Sequence, residues 1–304
     1  EERNLHIALE KYNAEIVSVN YEVRSLDMER LIQNGTVNHM EENGQYLNGT
    51  IKIKDLLQDD EEYLLIFHVE LENHEDVQYY TRIKNGSYEL MDACTKFAND
   101  FHYATLDPNN DYPITQYLET DMTRKVDSLA YVDIHSKYKK IIWDGMPVEE
   151  SLEPTISYLE AEKDVISLQM DYQVSYTNEN GESEKYQVKD YFRVRKTNIR
   201  MYLLDYERTA ERIFSSENQV FAENSVNLGI QWQDVPYMAN EEGSVVNFII
   251  SDELWCYDVA QNKLSKVFSF KNGNDKRGLH EEFEIQMVNM EDSGSMDFIV
   301  KGYM

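Results

Sequence analysis

Six of the twelve glycines in this chain directly follow an asparagine, and this pairing constrains the fold more than any other feature. Asn and Gly both adopt positive φ angles readily, which the tight turns between antiparallel strands require. The six pairs are Asn34-Gly35, Asn43-Gly44, Asn48-Gly49, Asn85-Gly86, Asn180-Gly181 and Asn272-Gly273. They predict a protein built mainly from antiparallel hairpins.

The charge of the chain narrows its range of partners. It carries 57 acidic and 29 basic residues, with a formal net charge of −28. Nucleic acids and anionic lipid head groups need a positive surface, so the composition argues against nucleic-acid binding and direct membrane-surface binding. A length of 304 residues exceeds what one core usually holds, and it favours two or three domains.

The ends of the chain and its cysteines bear on where it acts. No run reaches the roughly 18 apolar residues of a membrane span, and no secretory signal pattern is present. The sequence begins at Glu1 rather than Met and stops at Met304 directly after a predicted strand. We therefore expect a piece of a longer bacterial protein, held outside the cytoplasm by a membrane anchor in a missing N-terminal segment. Cys94 and Cys256 lie in unrelated contexts, which favours two separate thiols over one disulfide.

The middle of the chain predicts a three-stranded meander. Apolar and polar residues alternate strictly over 165–176, which is typical of a half-buried strand. Residues 186–195 return after Asn180-Gly181, and 199–206 form the third strand. The stretch 207–214 has helical propensity and predicts a short amphipathic helix that closes the unit.

An earlier segment follows a similar plan. Residues 63–71 and 77–84 predict two strands, 88–91 continue them after Asn85-Gly86, and apolar residues between Leu90 and Phe101 then recur at helical spacing. Two short matches link the segments, 80–84 with 191–195 and 90–92 with 203–205, at offsets of 111 and 113. An internal duplication and a chance match both remain open.

The last third predicts three short strands, 245–250, 254–259 and 264–269. Residues 243–250 also recur as 294–300 with one residue fewer, which places Phe248 and Phe298 fifty positions apart. Short strands at this period, with the aromatic-rich run 250–259 ending in Asp and Val, resemble the blades of β-propellers over about the last 70 residues. Because fewer than two blades are present, the resemblance implies either a ring completed elsewhere or blades that this sequence lacks. An ordinary three-stranded meander remains the alternative.

These patterns predict an α+β fold that is mainly antiparallel β. Meander-plus-helix units are followed by propeller-like strands. Breaks in pattern predict three domains, an N-terminal α+β domain at 1–148, a second meander unit at 149–225 and a β-rich region at 226–304.

Two segments offer oxygen and nitrogen ligands for a divalent cation such as calcium; no other cofactor is expected. In the run from His68 to His74, the side chains of His68 and Glu70 share one strand face, which suits a divalent ion, although a solvated face explains the same alternation. Asp107, Asn109 and Asp111 occupy the first, third and fifth positions of a calcium loop, but its glycine and its bidentate glutamate are missing. A turn rich in Asn and Asp needs no ion.

Two further polar groups lie on predicted strands. Asp133, His135 and Ser136 bring together an acid, an imidazole and a hydroxyl, but strand alternation puts His135 with Asp133 and away from Ser136. Asp190 sits among core positions of its strand, so we expect a buried carboxylate held by a structural salt bridge. No residue is predicted to be catalytic.

Aromatic residues of the last third suggest one binding role. Rings beside carboxylates can hold sugars, and four residues are candidates for such a platform: Trp232, Tyr237, Trp255 and Tyr257. Packing in the core is the competing explanation.

The sequence as a whole favours a non-catalytic binding or sensory region outside the cytoplasm of a bacterium, recognising a protein or cell-envelope ligand. One alternative is a carbohydrate-active enzyme or a glycan-binding module that uses acidic and aromatic residues. The third hypothesis is that the chain is a structural spacer.

Overall fold

The computed structural model of the chain describes residues 3–11, 14–59, 61–73, 76–86, 88–107, 109–124, 128–217, 220–222, 225–228, 235–271 and 284–302. The chain divides into two compact units, Glu1–Glu89 and Leu90–Met304. Nearly all strand pairings are antiparallel, which confirms the predicted mainly antiparallel fold. The domain boundaries proposed near residues 148 and 225 stay predictions.

The first unit contains two antiparallel sheets. Its strands are β1 (Asn4–Glu10), β2 (Ile16–Ser25), β3 (Leu31–Thr36), β4 (Glu41–Asn43), β5 (Tyr46–Lys52), β6 (Glu62–Leu71) and β7 (Asp76–Lys84). One sheet has the order β3-β2-β6-β7 and the other β1-β5-β4. Both contribute to one hydrophobic core, with Val23 and Leu65 from the first sheet and Ile51 from the second. Strands β6 and β7 confirm the strands predicted at 63–71 and 77–84.

Two of the six Asn-Gly pairs form hairpin turns. Gly44, in the turn between β4 and β5, has a φ angle of +62°. Gly181, in the turn formed by the Asn180-Gly181 pair, has a φ angle of +81°. Gly35 and Gly49 instead lie inside β3 and β5, and Asn85-Gly86 lies between β7 and a helix, so the hairpin prediction was wrong at these three pairs. Asn272-Gly273 lies outside the described residues.

The glycines inside strands serve close packing. A Cβ atom on Gly49 would lie 2.7 Å from Val37 Cγ1, and one on Gly35 would lie 3.0 Å from the Tyr21 ring. Their lack of a side chain, rather than a positive φ angle, is therefore what these positions use.

Helix α1 (Tyr88–Leu106) lies in the second unit except for its first two residues, and it packs on a five-stranded sheet. The sheet comprises β8 (Tyr131–Asp133), β9 (Glu149–Ala161), β10 (Val165–Thr177), β11 (Ser183–Lys196) and β12 (Met201–Ile213), in the order β8-β12-β11-β10-β9. The short helix α2 (Tyr138–Ile141) and a 3₁₀ turn (Trp143–Gly145) lie between β8 and β9. Strands β10 and β11 confirm the predicted first two strands of the meander.

Two local predictions in this region were wrong. Residues 207–213 continue strand β12 instead of forming a helix, because they pair with β11 on one side and β8 on the other. Residues 88–91 open helix α1 instead of continuing a strand, although the helical spacing predicted from Leu90 to Phe101 is confirmed. The match of 90–92 with 203–205 therefore joins a helix to a strand.

The remaining strands form smaller sheets. They are β13 (Phe221–Ala222), β14 (Ser225–Val226), β15 (Tyr237–Ala239), β16 (Val245–Ile250), β17 (Glu253–Asp258), β18 (Lys263–Ser269), β19 (Glu284–Met290) and β20 (Met296–Lys301). The order β15-β16-β17-β18 makes a four-stranded meander, which contains the three strands predicted in this region. Pairs β13-β14 and β19-β20 are separate, and none of the described sheets closes on itself.

The four-stranded sheet is covered on both faces. Phe248 and Trp255 on one face pack against Phe214. On the opposite face, Phe268 lies 5.9 Å from Phe298 of β20, measured between ring centroids. No described helix is long and apolar enough to cross a membrane.

Candidate functional site

Two groupings of ionisable and aromatic side chains stand out, one inside the second unit and one on a sheet face of the first. Each combines a histidine, tyrosine, a carboxylate and an arginine. We call the inner grouping the Asp190 cluster, and it consists of His102, Trp143, Glu150, Tyr172, Asp190, Tyr206 and Arg208.

The Asp190 cluster forms because three strands turn polar side chains toward the core. Asp190 lies between Val188 and Phe192 on the inward face of β11, and its cross-strand partner on β12 is Arg208. Asp190 and Arg208 are both 0% exposed. A buried charge destabilises the fold unless it is paired or hydrogen-bonded, so the stability of this core depends on the contacts of both side chains.

Two hydroxyl groups hold the carboxylate of Asp190. Tyr172 donates to Oδ2 at 3.0 Å and Tyr206 donates to Oδ1 at 3.3 Å. Burial first, and then the charge of Asp190, raise the pKa of both tyrosines well above the ordinary value, which keeps their hydroxyls as donors. The hydrogen bonds of Asp190 thus come from two tyrosines, and the ion-pair partner of its carboxylate is His102, whose Nδ1 lies 3.8 Å away.

Arg208 is held by the last two residues of α2. Its Nη1 donates to the carbonyl of Ile141 at 2.8 Å and its Nη2 to that of Lys140 at 2.9 Å. The guanidinium carbon lies 3.9 Å from the ring centroid of Trp143, a cation-π contact. Trp143 and Asp144 have φ angles of +60° and +52°, so the turn accepts backbone strain to place the indole there.

His102 joins helix α1 to the same cluster. Its Nε2 lies 3.1 Å from Glu150 Oε2, and its Nδ1 lies 3.8 Å from Asp190 Oδ2. A carboxylate can only accept, so Nε2 carries the hydrogen in the bond to Glu150. His102 is 0% exposed and ties the helix to the sheet, while Glu150, 21% exposed, lies where the cluster meets the surface.

The second grouping lies on the first unit's four-stranded sheet, on the face opposite its core. Strand register places Glu22, Ile66 and Tyr80 side by side across β2, β6 and β7. We call this surface the Tyr80 face, and it comprises Glu22, Arg24, Ile66, His68, Gln78 and Tyr80.

The Tyr80 face is open where the Asp190 cluster is closed. Tyr80 is 65% exposed, whereas Ile66 beside it is 6% exposed. Glu22 accepts a hydrogen bond from Arg24 Nε through Oε2, and its Oε1 lies 3.9 Å from His68 Nε2. That His68 nitrogen is itself buried, and it has no hydrogen-bond partner in the part of the chain that the structure describes. The face therefore presents one exposed aromatic ring beside a part-buried group of carboxylate, guanidinium and imidazole.

The predicted metal ligands are placed as follows. His68 and Glu70 share a strand face, but His68 faces Glu22, while Glu70 accepts a hydrogen bond from Ser18 at 3.0 Å. Asp107 Oδ1 accepts from the backbone N–H of Asn109 at 2.9 Å, and Asp111 lies exposed in the same loop. Among the described residues, no three His, Cys, Asp or Glu side chains gather as a metal site.

The predicted aromatic platform is distributed between core and surface. Trp255 and Tyr257 are 3% and 7% exposed and belong to a hydrophobic core. Tyr237 is 70% exposed on β15, and Trp232 lies outside the described residues. A ligand-binding role for these residues stays a prediction, and Tyr237 is the accessible member.

The group at Asp133 also differs from its expected arrangement. Ser136 Oγ donates to Asp133 Oδ1 at 3.1 Å, because the chain turns directly after β8 and brings Ser136 back. The His135 ring instead contacts the carbonyl of Glu119 at 3.0 Å. Burial raises the pKa of Asp133, but hydrogen bonds from Arg124 and Ser136 outweigh it and hold that pKa below its ordinary value. These contacts fix a turn.

Cys94 and Cys256 are both free thiols, which confirms the prediction of two separate cysteines. Burial raises the pKa of Cys94 from 9.0 to about 11, so little thiolate forms near neutral pH. Burial and then Asp258 raise the pKa of Cys256 as well.

The sequence analysis missed His102, Tyr206, Arg208 and the Tyr80 face. Strand alternation of Tyr206, Arg208 and Ala210 could have signalled an inward arginine, had the helix not been assigned there. Glu22 and His68 are brought together only by the pairing of β2 with β6.

Comparison with models of known protein families and with curated proteins finds no match for this chain. The function has to be inferred from the side chains themselves.

Proposed function

We propose that this chain is a non-catalytic binding region that acts outside the cytoplasm of a bacterium and recognises a cell-envelope ligand. The observation that carries the proposal is the exposed Tyr80 ring, which lies on one sheet face beside the part-buried side chains of Glu22, Arg24 and His68. This combination favours a saccharide, because sugars present both apolar C–H faces and hydroxyl groups.

The closed state of the Asp190 cluster supports a non-catalytic role. General acids, bases and nucleophiles must come within about 3 Å of the reacting atoms. His102, Asp190, Tyr172 and Tyr206 are each 0% exposed and contact one another or a neighbouring side chain. These side chains therefore stabilise the fold, and the exposed Tyr80 face is the surface proposed for binding.

The net charge of −28 bears on which class of envelope ligand the chain can bind. Polyanionic envelope polymers are repelled by such a chain at low ionic strength, whereas neutral saccharides are not. The ligand is therefore an uncharged or weakly charged glycan.

The C-terminal sheets support a propeller-like arrangement as part of the same proposal. A four-stranded meander covered on both faces by further β structure is how blades stack in a propeller. In this reading the stacked sheets are a scaffold, and the first unit presents the ligand surface.

The test is binding of the 304-residue chain to an array of neutral oligosaccharides, followed by calorimetry with the strongest hit. We expect Tyr80→Ala to weaken binding at least about ten-fold and Tyr80→Phe to weaken it less, since the ring remains. Tyr237→Ala is the matched control, because Tyr237 is exposed to a similar degree on another sheet.

Three results would contradict the proposal. Loss of binding in Tyr237→Ala alone would move the ligand site to the C-terminal sheets. New reducing ends released from the bound oligosaccharide would make the chain a carbohydrate-active enzyme. Binding to no saccharide on the array would leave a protein ligand or a structural spacer.

A further inference from the structure

The repeat in the last third of the sequence corresponds to two similar hairpins. In the first, the Gly243 N–H donates to the Asn240 carbonyl at 2.9 Å; in the second, the Gly294 N–H donates to the Glu291 carbonyl at 2.9 Å. Both glycines have positive φ angles, +66° and +87°. The first loop leads into β16 and the second into β20, so these two strands are equivalent.

The two equivalent strands differ in what lies on their far side. Strand β16 pairs with β15 and also with β17, inside a sheet of four strands. Strand β20 pairs with β19, and within the described residues no strand occupies its other edge. An open edge presents backbone N–H and C=O groups that can pair with another strand.

The side chains of β20 fall into two rows. Met296, Phe298 and Val300 are half-buried, and Phe298 packs toward Phe268. The other row, Asp297, Ile299 and Lys301, is exposed, with Ile299 58% exposed. An acidic and a basic residue thus lie on one face, two positions on either side of an exposed isoleucine.

This sequence is complementary to itself in the antiparallel direction. If Ile299 lies opposite Ile299 of a second strand, Asp297 lies opposite Lys301, and the pair recurs on the other side of the two-fold axis. Opposite charges facing each other across antiparallel strands stabilise the pairing, and a two-fold axis makes every contact twice.

We propose that β20 pairs antiparallel with the β20 of a second copy of this chain, with Ile299 on the two-fold axis and Asp297 opposite the partner's Lys301. The joined sheet has the order β19-β20-β20-β19. It contains four strands, the same number as the sheet to which β16 belongs. This pairing goes beyond the saccharide binding proposed above and does not depend on it.

The contact is short, so the dimer is weak. Six residues per strand bury less surface than the roughly 1,200 Å² at which stable interfaces begin. We expect a dissociation constant of about 10–100 μM, which corresponds to a transient complex.

Sedimentation equilibrium of the 304-residue chain from about 5 to 500 μM tests the proposal. We expect a monomer-dimer equilibrium. Asp297→Lys and Lys301→Asp each place like charges opposite one another at two points and should weaken the dimer at least about ten-fold. The double variant D297K/K301D restores the opposite pairing and should dimerise as the unaltered chain does.

Circular dichroism of each variant confirms that it is folded before sedimentation. A monomer throughout the concentration range would overturn the proposal. So would a dimer that neither single substitution weakens, or one that the double variant fails to restore, because either result would place the contact elsewhere.

Discussion

The Asp190 cluster and the Tyr80 face use the same kinds of side chain in opposite environments. Each contains a histidine, tyrosine, a carboxylate and an arginine. In the cluster, Arg208 and Asp190 are fully buried and their hydrogen bonds go to carbonyls and hydroxyls. On the face, Tyr80 is 65% exposed, and the side chains of Glu22 and His68 are each 28% exposed. The difference shows that environment, rather than residue type, separates groups enclosed in the core from groups that reach the surface.

The largest expected effect comes from removing the arginine of the cluster. Arg208→Ala deletes two hydrogen bonds to carbonyls and the contact with Trp143, and it leaves the Asp190 carboxylate buried opposite an empty site. We expect the free energy of unfolding to fall by about 3–5 kcal/mol. Urea denaturation measures this loss.

Arg212→Ala on the same strand is the matched control. Its side chain is 46% exposed and pairs with Glu184 at 3.4 Å, so its loss should cost less than about 1 kcal/mol. If both variants lost the same free energy of unfolding, Arg208 would contribute no more to stability than an arginine in a surface ion pair, which would contradict the prediction.

The second prediction concerns alkaline pH. The folded-state pKa values of Cys94, Tyr172 and Tyr206 are all raised, chiefly by burial. Each group therefore stabilises the fold fully below its unfolded pKa, and that stabilisation is lost as pH rises from there toward the folded pKa. For Cys94 the window runs from 9.0 to about 11, and for the tyrosines it opens near 10.

We expect stability to fall steeply above pH 9, by about 1.4 kcal/mol per pH unit for each group inside its window. Thermal unfolding followed between pH 8 and about 11 measures the slope, and Cys94→Ala should flatten its lower part. A stability that does not change up to pH 11 would mean that these groups are solvated in the folded state.

A smaller effect is expected from one hydroxyl of the cluster. Tyr172→Phe removes the hydrogen bond to Asp190 Oδ2 and leaves the ring in place against His102, at 4.4 Å between centroids. The loss should be about 1–3 kcal/mol, since a buried carboxylate loses one of two hydroxyl donors. Chemical denaturation measures it, and a change below about 0.5 kcal/mol would argue that another donor replaces the hydroxyl.

The smallest effect on stability is expected at the Tyr80 face. Tyr80→Ala removes a mostly exposed ring and should change the free energy of unfolding by less than about 1 kcal/mol. Denaturation of this variant beside Tyr172→Phe compares the two groupings directly. A larger loss in Tyr80→Ala would assign the face to stability and remove the support for a ligand.

The strands with strict alternation could be predicted from the sequence. Residues 165–176 became β10 because every second side chain is apolar and buried, from Ile166 to Val174. Asn180-Gly181 turned as expected, because positive φ is what that hairpin requires. Local pattern and tertiary structure agree at these positions.

Where pairing between distant strands decides the outcome, the sequence was insufficient. Residues 207–213 have helical propensity, but pairing with β11 and β8 overrides it and aims Arg208 into the core. The neighbours of His68 and Asp190 likewise depend on register across strands far apart in sequence. Of the candidate site, the burial of Asp190 could be anticipated, and its tyrosine partners could not.

Tyrosine nitration with tetranitromethane, mapped by mass spectrometry on the native chain, tests the contrast between the two groupings most directly. Tyr237, 70% exposed, serves as the internal standard for an accessible ring. We predict that Tyr80 is nitrated at a rate close to that of Tyr237, whereas Tyr172 and Tyr206 react only after unfolding in urea. Nitration of Tyr172 or Tyr206 in the native chain, or protection of Tyr80, would contradict the division into a closed cluster and an open face.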